Sequence, residues 1–123
     1  MSSSSGLNLL PVVGVAEVRP GDDLSELLVG ALRATAQPGD VLVVTHKVIS
    51  KAEGRVVDLT TVEPSPWAHR WAERWGKDPR QIEVVLRESA ALVRMEHGII
   101  ISRTTHGLTC ANAGVDRSNS PGE

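Results

Sequence analysis

The chain of 123 residues has no Phe and no Tyr, and its three Trp stand at positions 67, 71 and 75. Large aromatic rings supply much of the buried area in most domains. Here any core is aliphatic, built from Val, Leu, Ile and Ala. The Trp spacing of four sets the three indoles on one face of a helix. A chain of this length forms one domain that buries roughly two thirds of its unfolded surface.

Charge and cysteine usage exclude several classes. Thirteen Lys and Arg against 15 Asp and Glu leave a net charge of −2, which is no basic footprint for nucleic acid. A single cysteine, Cys110, makes no internal disulfide framework, and in an expected strand it reads as an inert thiol. Apolar runs of four or five residues do not span a membrane. Residues 1–6 are Ser-rich without the regions of a signal peptide. They read as a tail ahead of one domain over 7–123, without internal repeats, and a cytoplasmic protein is expected.

Hydrophobic patterning divides the chain. Leu7 to Gly14 reads as a short strand entering a turn. Asp23 to Ala36 reads as a helix, with Asp23 and Glu26 in a capping-box pattern. Val41-Leu42-Val43-Val44-Thr45 is a continuous apolar run and reads as a strand buried on both faces. Arg55 to Leu59 is a further candidate strand. A second helix opens at Ser65 with Pro66 in its first position and ends at Gly76. A third opens at Asp78-Pro79. Leu92 to Met95, Ile99 to Ser102 and Leu108 to Ala111 read as strands, the first two joined by a tight turn at Glu96-His97-Gly98. The expected class is α/β, with a mixed α+β sheet and about three helices.

Three stretches carry polar groups suited to a site, each with an ordinary alternative. Asn112, Asp116, Ser118 and Asn119 gather oxygen ligands suited to Mg²⁺ or Mn²⁺ bridging to phosphate, or they form a solvent-exposed turn. His46, Lys47, Ser50 and Lys51 follow the apolar run, at a strand end where α/β folds bind ligands. They bind phosphate or are solvated surface charge. Gly14-Val15-Ala16-Glu17 brings backbone close to a ligand with an acceptor for a base or ribose, or it is a simple turn. P-loop and dinucleotide-binding glycine motifs are absent.

Longer blocks add a family. Leu10-Pro11-Val12-Val13-Gly14 is followed by Arg19-Pro20-Gly21-Asp22-Asp23-Leu24. Gly39 to Arg55 runs through Thr45-His46-Lys47-Val48-Ile49-Ser50-Lys51. Glu88-Ser89, Val93-Arg94 and His106-Gly107 precede Ala111-Asn112-Ala113-Gly114-Val115-Asp116-Arg117-Ser118-Asn119. In order and spacing these resemble the N-terminal part of the F420-0 gamma-glutamyl ligase family. The resemblance implies a GTP-dependent ligase that adds L-glutamate to the deazaflavin coenzyme F420-0 through an acyl phosphate. It implies nucleotide contacts at Gly14, Val15, Ala16, Glu17, His46, Lys51 and Asn119, and a Mg²⁺ or Mn²⁺ ligand at Asp116. It also implies a homodimer when full length, with the Trp face as a candidate contact. Family members run longer, and their remaining part carries further metal ligands. On this reading the chain is a partial ligase domain, inactive alone. The alternative is a non-catalytic fragment, at best a weak nucleotide-binding or assembly module.

Overall fold

The computed structural model describes residues 6–117. The chain divides between Arg55 and Val56 into two compact units. The elements are α1 (Leu24–Leu32), α2 (His46–Ala52), α3 (Pro66–Trp75), α4 (Pro79–Arg87), β1 (Ser89–Glu96), β2 (Ile99–Thr104) and β3 (Thr109–Ala111). The class is α+β, as expected, with four α-helices among the described residues where about three were expected.

In the second unit, β1, β2 and β3 form an antiparallel sheet in that order. β1 and β2 are joined by a two-residue turn in which His97 and Gly98 have φ of 51° and 75°, the signature of a hairpin whose turn matches strand twist. The strand period of two is legible in β2. Ile100, Ser102 and Thr104 are buried, while Ile99, Ile101 and Arg103 alternate with them. Ile100 joins Ala68 and Ala72 of α3 and Ile82 and Val85 of α4 in one buried cluster. The core is therefore aliphatic, and Trp67, Trp71, Leu86 and Met95 pack around it.

The helix ends of this unit follow their sequence signals. The Ser65 hydroxyl accepts from the Ala68 N–H at 3.2 Å, and Pro66 opens α3. Gly76 closes α3 in the left-handed region. Trp67 and Trp71 stack at 5.8 Å and 8°. At α4, the Asp78 carboxylate accepts from the Arg80 N–H at 2.9 Å and pairs with its guanidinium at 2.8 Å. Arg80 holds the Asp78 carboxyl down at about 2, against an ordinary 3.8.

The first unit departs from expectation. Residues 41–45 form no strand, and Val41 and Val43 are 85% and 84% exposed. A doubly buried strand needs neighbours on both edges and a layer on each face. Among the described residues the sheet contains only residues 89–111, so the run has no strand neighbour there. Residues 7–14 form no strand either, and Leu7 is 87% exposed. At the start of the second unit, the expected strand at 55–59 is instead irregular chain leading into a 3-10 turn over Leu59–Thr61. Asp58 accepts from the Thr60 N–H and hydroxyl, an Asx-type turn that competes with a strand.

The extra helix is α2, which replaces the expected polar strand end at His46–Lys51. Its seven residues include β-branched Val48 and Ile49 directly after the valine run, so its periodicity is masked. α1 begins where its cap signal places it, with Asp23 accepting from the Glu26 N–H at 3.0 Å.

The Asp78 cap is open to test. A carboxyl depressed in the folded state stabilises fully above its ordinary value of 3.8, and that stabilisation is lost as pH falls toward about 2. Asp78→Ala is expected to cost about 1–2 kcal/mol at neutral pH. In urea unfolding followed by Trp fluorescence, the gap to wild type shrinks as pH falls from 4 toward 2.

Candidate functional site

The expected site residues fall into two groups, one in each unit. In the first unit, Glu17 and Lys51 come together, with Lys51 Nζ 3.8 Å from Glu17 Oε1. They are 34 residues apart in sequence, and the chain holds them by a local clasp. The Gly21 N–H donates to the Ala52 carbonyl at 2.9 Å, tying the turn at Arg19–Asp22 to the end of α2. The Arg19 N–H donates to the Asp22 carboxylate at 2.7 Å, which closes that turn. Val18, between Glu17 and the turn, is buried.

Lys51 sits in the last turn of α2, with Lys47 one turn earlier on the same side. His46 is the first residue of α2. It lies five positions before Lys51, about 140° around the axis, so the two do not share a face. Gly14 has φ of 80°, a backbone state that favours glycine, and nothing approaches within 4 Å of where a side chain would begin. The Glu17 side chain is 77% exposed and that of Lys51 32%. The pair is therefore an open charged surface, worth little as a stabilising bridge and accessible to an anion.

In the second unit the chain leaves β3 through a 3-10 turn over Asn112–Gly114. Asn112, Ala113 and Gly114 have φ of 51°, 51° and 73°, three consecutive left-handed residues. For Ala113 this conformation costs about 1–2 kcal/mol. Two contacts hold it. The Asn112 side-chain oxygen accepts from the Ile100 N–H at 3.2 Å, and Ala113 and Val115 pack on the core cluster. The Val115 N–H returns to the Asn112 carbonyl at 2.9 Å. Backbone strain fixed by its surroundings clusters at ligand sites, and this turn delivers Asp116 to the surface.

Asn112, expected from sequence as an oxygen ligand, thus acts as a brace. The signal that finds it is the run Asn112-Ala113-Gly114, since Asn and Gly are the residues that enter the left-handed region most readily. Ser118 and Asn119 lie outside the described residues. Among the described residues, no three His, Cys, Asp or Glu converge to hold a metal ion. Asp116 is then one carboxylate at a built turn. That fits Mg²⁺, which is commonly held by one or two carboxylates together with phosphate oxygens and water. Cys110 lies in β3 and is half-buried, opposite Ser102.

The F420-0:Gamma-glutamyl ligase family model matches residues 13–123. The chain belongs to this family. It is similar to the coenzyme F420:L-glutamate ligase of Methanopyrus kandleri, at 51% identity over 115 residues, covering 94% of this chain and 45% of that protein. The ligase of the same name from Methanothermobacter thermautotrophicus is 43% identical over 117 residues, covering 93% and 46%. That of Archaeoglobus fulgidus is 39% identical over 113 residues, covering 92% and 44%. The chain spans a little under half the length of these curated relatives. Among the described residues, no helix is long and apolar enough to cross a membrane.

The brace makes a direct prediction. Asn112→Ala leaves the buried Ile100 N–H without its acceptor and is expected to cost about 1–3 kcal/mol. Asn112→Asp keeps an acceptor oxygen and loses less. Urea unfolding followed by Trp fluorescence ranks the two.

Proposed function

We propose that this chain supplies the nucleotide- and metal-binding part of a GTP-dependent ligase that joins L-glutamate to coenzyme F420-0. The observation that carries this reading is the extent of the family match. Residues 13–123 take in Gly14, Val15, Ala16, Glu17, His46, Lys51, Asp116 and Asn119. The pairing of Glu17 with Lys51 and the braced turn before Asp116 support it.

The reaction proceeds in two transfers. A substrate carboxylate oxygen attacks the γ-phosphorus of GTP, and GDP leaves with the bond to its β-phosphate oxygen. The amine of L-glutamate then attacks the acyl carbon, loses a proton, and displaces phosphate to leave an amide. The chain's own work is positioning and charge neutralisation. Lys51 sets a compact positive charge against phosphate oxygens. Gly14 to Glu17 approach the nucleoside with backbone, and Glu17 accepts hydrogen bonds there while holding Lys51. His46 contributes from the start of α2 through its backbone. Asp116 would hold a divalent ion, Mg²⁺ or Mn²⁺, which would neutralise phosphate charge, and Asn119 would contact the nucleotide. The full-length enzyme is a cytoplasmic homodimer on this reading.

A second reading is favoured by the donor set. Asp116 is joined by no cluster of further carboxylates among the described residues. On that basis the chain by itself binds nucleotide weakly and does not turn over.

Calorimetry with GTP and Mn²⁺ tests both readings. Lys51→Ala is expected to weaken GTP binding about 10- to 100-fold, the usual worth of a hydrogen bond to a charged group. Asp116→Ala is expected to abolish the metal dependence of binding while leaving the metal-free affinity. Equal binding by wild type and Lys51→Ala removes the nucleotide assignment. Glutamate addition to F420-0 by the purified chain removes the second reading.

A further inference from the structure

The three indoles line two adjoining clefts in the second unit. One, of about 290 Å³, is lined by Trp67, Arg70, Trp71, Arg74 and Met95. The other, of about 240 Å³, is lined by Trp71, Arg74, Trp75, Met95, Glu96 and His97. Trp71, Arg74 and Met95 belong to both, so the clefts run together along α3 beside the end of β1.

This groove joins aromatic surface to uncompensated positive charge. The rings of Trp67 and Trp71 lie 5.8 Å apart and almost parallel, and Trp75 is tilted by 51° to Trp71 at 5.9 Å. All three are only half-buried. The buried cluster beneath them is aliphatic, and α3 meets it with Ala68 and Ala72, so ring surface is left over. Arg70 and Arg74 are exposed, and the Arg74 guanidinium stands 5.4 Å over the Trp75 ring. Among the described residues, neither arginine is held in an ion pair. Glu96, the carboxylate among the lining residues, is already neutralised by Arg94 at 2.6 Å. Open ring faces beside unpaired guanidinium groups suit a flat aromatic ring that carries negative charge, through stacking and charge-assisted hydrogen bonds.

The ligase reaction brings three substrates together, and the residues assigned above serve the nucleotide and its metal. L-Glutamate has no ring to stack. The deazaflavin acceptor has a planar fused-ring system and a negatively charged side chain. Trp67, Trp71 and Met95 pack on the same cluster as Ala113 and Val115, so the groove and the turn before Asp116 are built on one core. We propose that this groove binds the acceptor, with the deazaflavin ring on the indoles and its negative charge on Arg70 and Arg74. The choice of acceptor rests on the ligase reading above, while the fit to a flat anion does not depend on the GTP or metal assignment.

Equilibrium dialysis of the purified chain against F420-0 measures the affinity. Quenching of Trp fluorescence locates the ligand, because all three Trp lie at 67–75. Saturable binding with quenching is expected. Trp71→Leu keeps apolar bulk against the core and is expected to weaken binding at least about 10-fold, the worth of one stacked ring. Arg70→Gln with Arg74→Gln alters exposed side chains only and keeps all three reporters. It is expected to weaken binding at least about 10-fold and to flatten its salt dependence. Urea unfolding checks that each variant is folded, and the double arginine variant decides if Trp71→Leu is not. Calorimetry with GTP on the same samples separates the two readings: F420-0 binding without GTP binding removes the nucleotide assignment and leaves the groove assigned. Absence of F420-0 binding by the folded chain, or binding unchanged in the double arginine variant, overturns the proposal. So does a dimer in light scattering that Trp71→Leu dissociates, which assigns the groove to a second copy.

Discussion

The contact on which residues 56–117 depend is the meeting of Ile100 with Val85, Ile82, Ala68 and Ala72. With no Phe or Tyr in the chain, this small aliphatic cluster is what α3 and α4 pack upon. Small residues make the close approach possible. Ala68 and Ala72 present one turn of α3 with almost no side chain, and both are essentially fully buried. The Trp rings flank this contact and do not form its centre. The same cluster holds Ala113 and Val115, and through them the left-handed turn that precedes Asp116. Strain in that turn is affordable because the core and the Ile100–Asn112 hydrogen bond oppose its release. Packing and the candidate metal ligand are therefore one piece of structure.

The first unit is organised differently. Its order comes from short polar devices: the Asp22 and Asp23 carboxylates on backbone N–H groups and the clasp from Gly21 to Ala52. These place Glu17 beside Lys51 with little buried apolar surface beneath them. Hydrogen bonds of this exposed kind contribute modestly, about 0.5–1.5 kcal/mol each. The hydrophobic term that stabilises a domain is largely unrealised there, since many of its valines and leucines, Val41 and Val43 among them, remain in contact with water.

The second unit was readable from sequence because its signals are local. Ser65-Pro66 and Gly76 bound one helix, Asp78-Pro79 opens the next, and His97-Gly98 turns a hairpin. The valine run at 41–44 misled for a physical reason. Its composition describes a strand buried in a sheet, and the sheet partners that would realise this are absent from residues 6–117. α2 was hidden because seven residues with two β-branched side chains give too little helical period. For the site, the resemblance implies nucleotide contacts at Glu17 and Lys51, but their pairing was not legible because no local spacing links residues so far apart. The bracing role of Asn112 was legible in outline as Asn-Ala-Gly, but its partner Ile100 is fixed by the pairing of β2 with β3.

The central claim is that one unit of this chain holds its own core while the other leaves an apolar run exposed. Native-state hydrogen exchange on the purified chain tests it most directly. Amides of α3, α4 and β2, with Ile100 among them, are expected to exchange slowly and together, at a rate set by global unfolding. Amides of Val41 to Val44 are expected to exchange near the rates of an unstructured peptide. Protection of Val41 to Val44 equal to that of Ile100 in the monomeric chain contradicts the account.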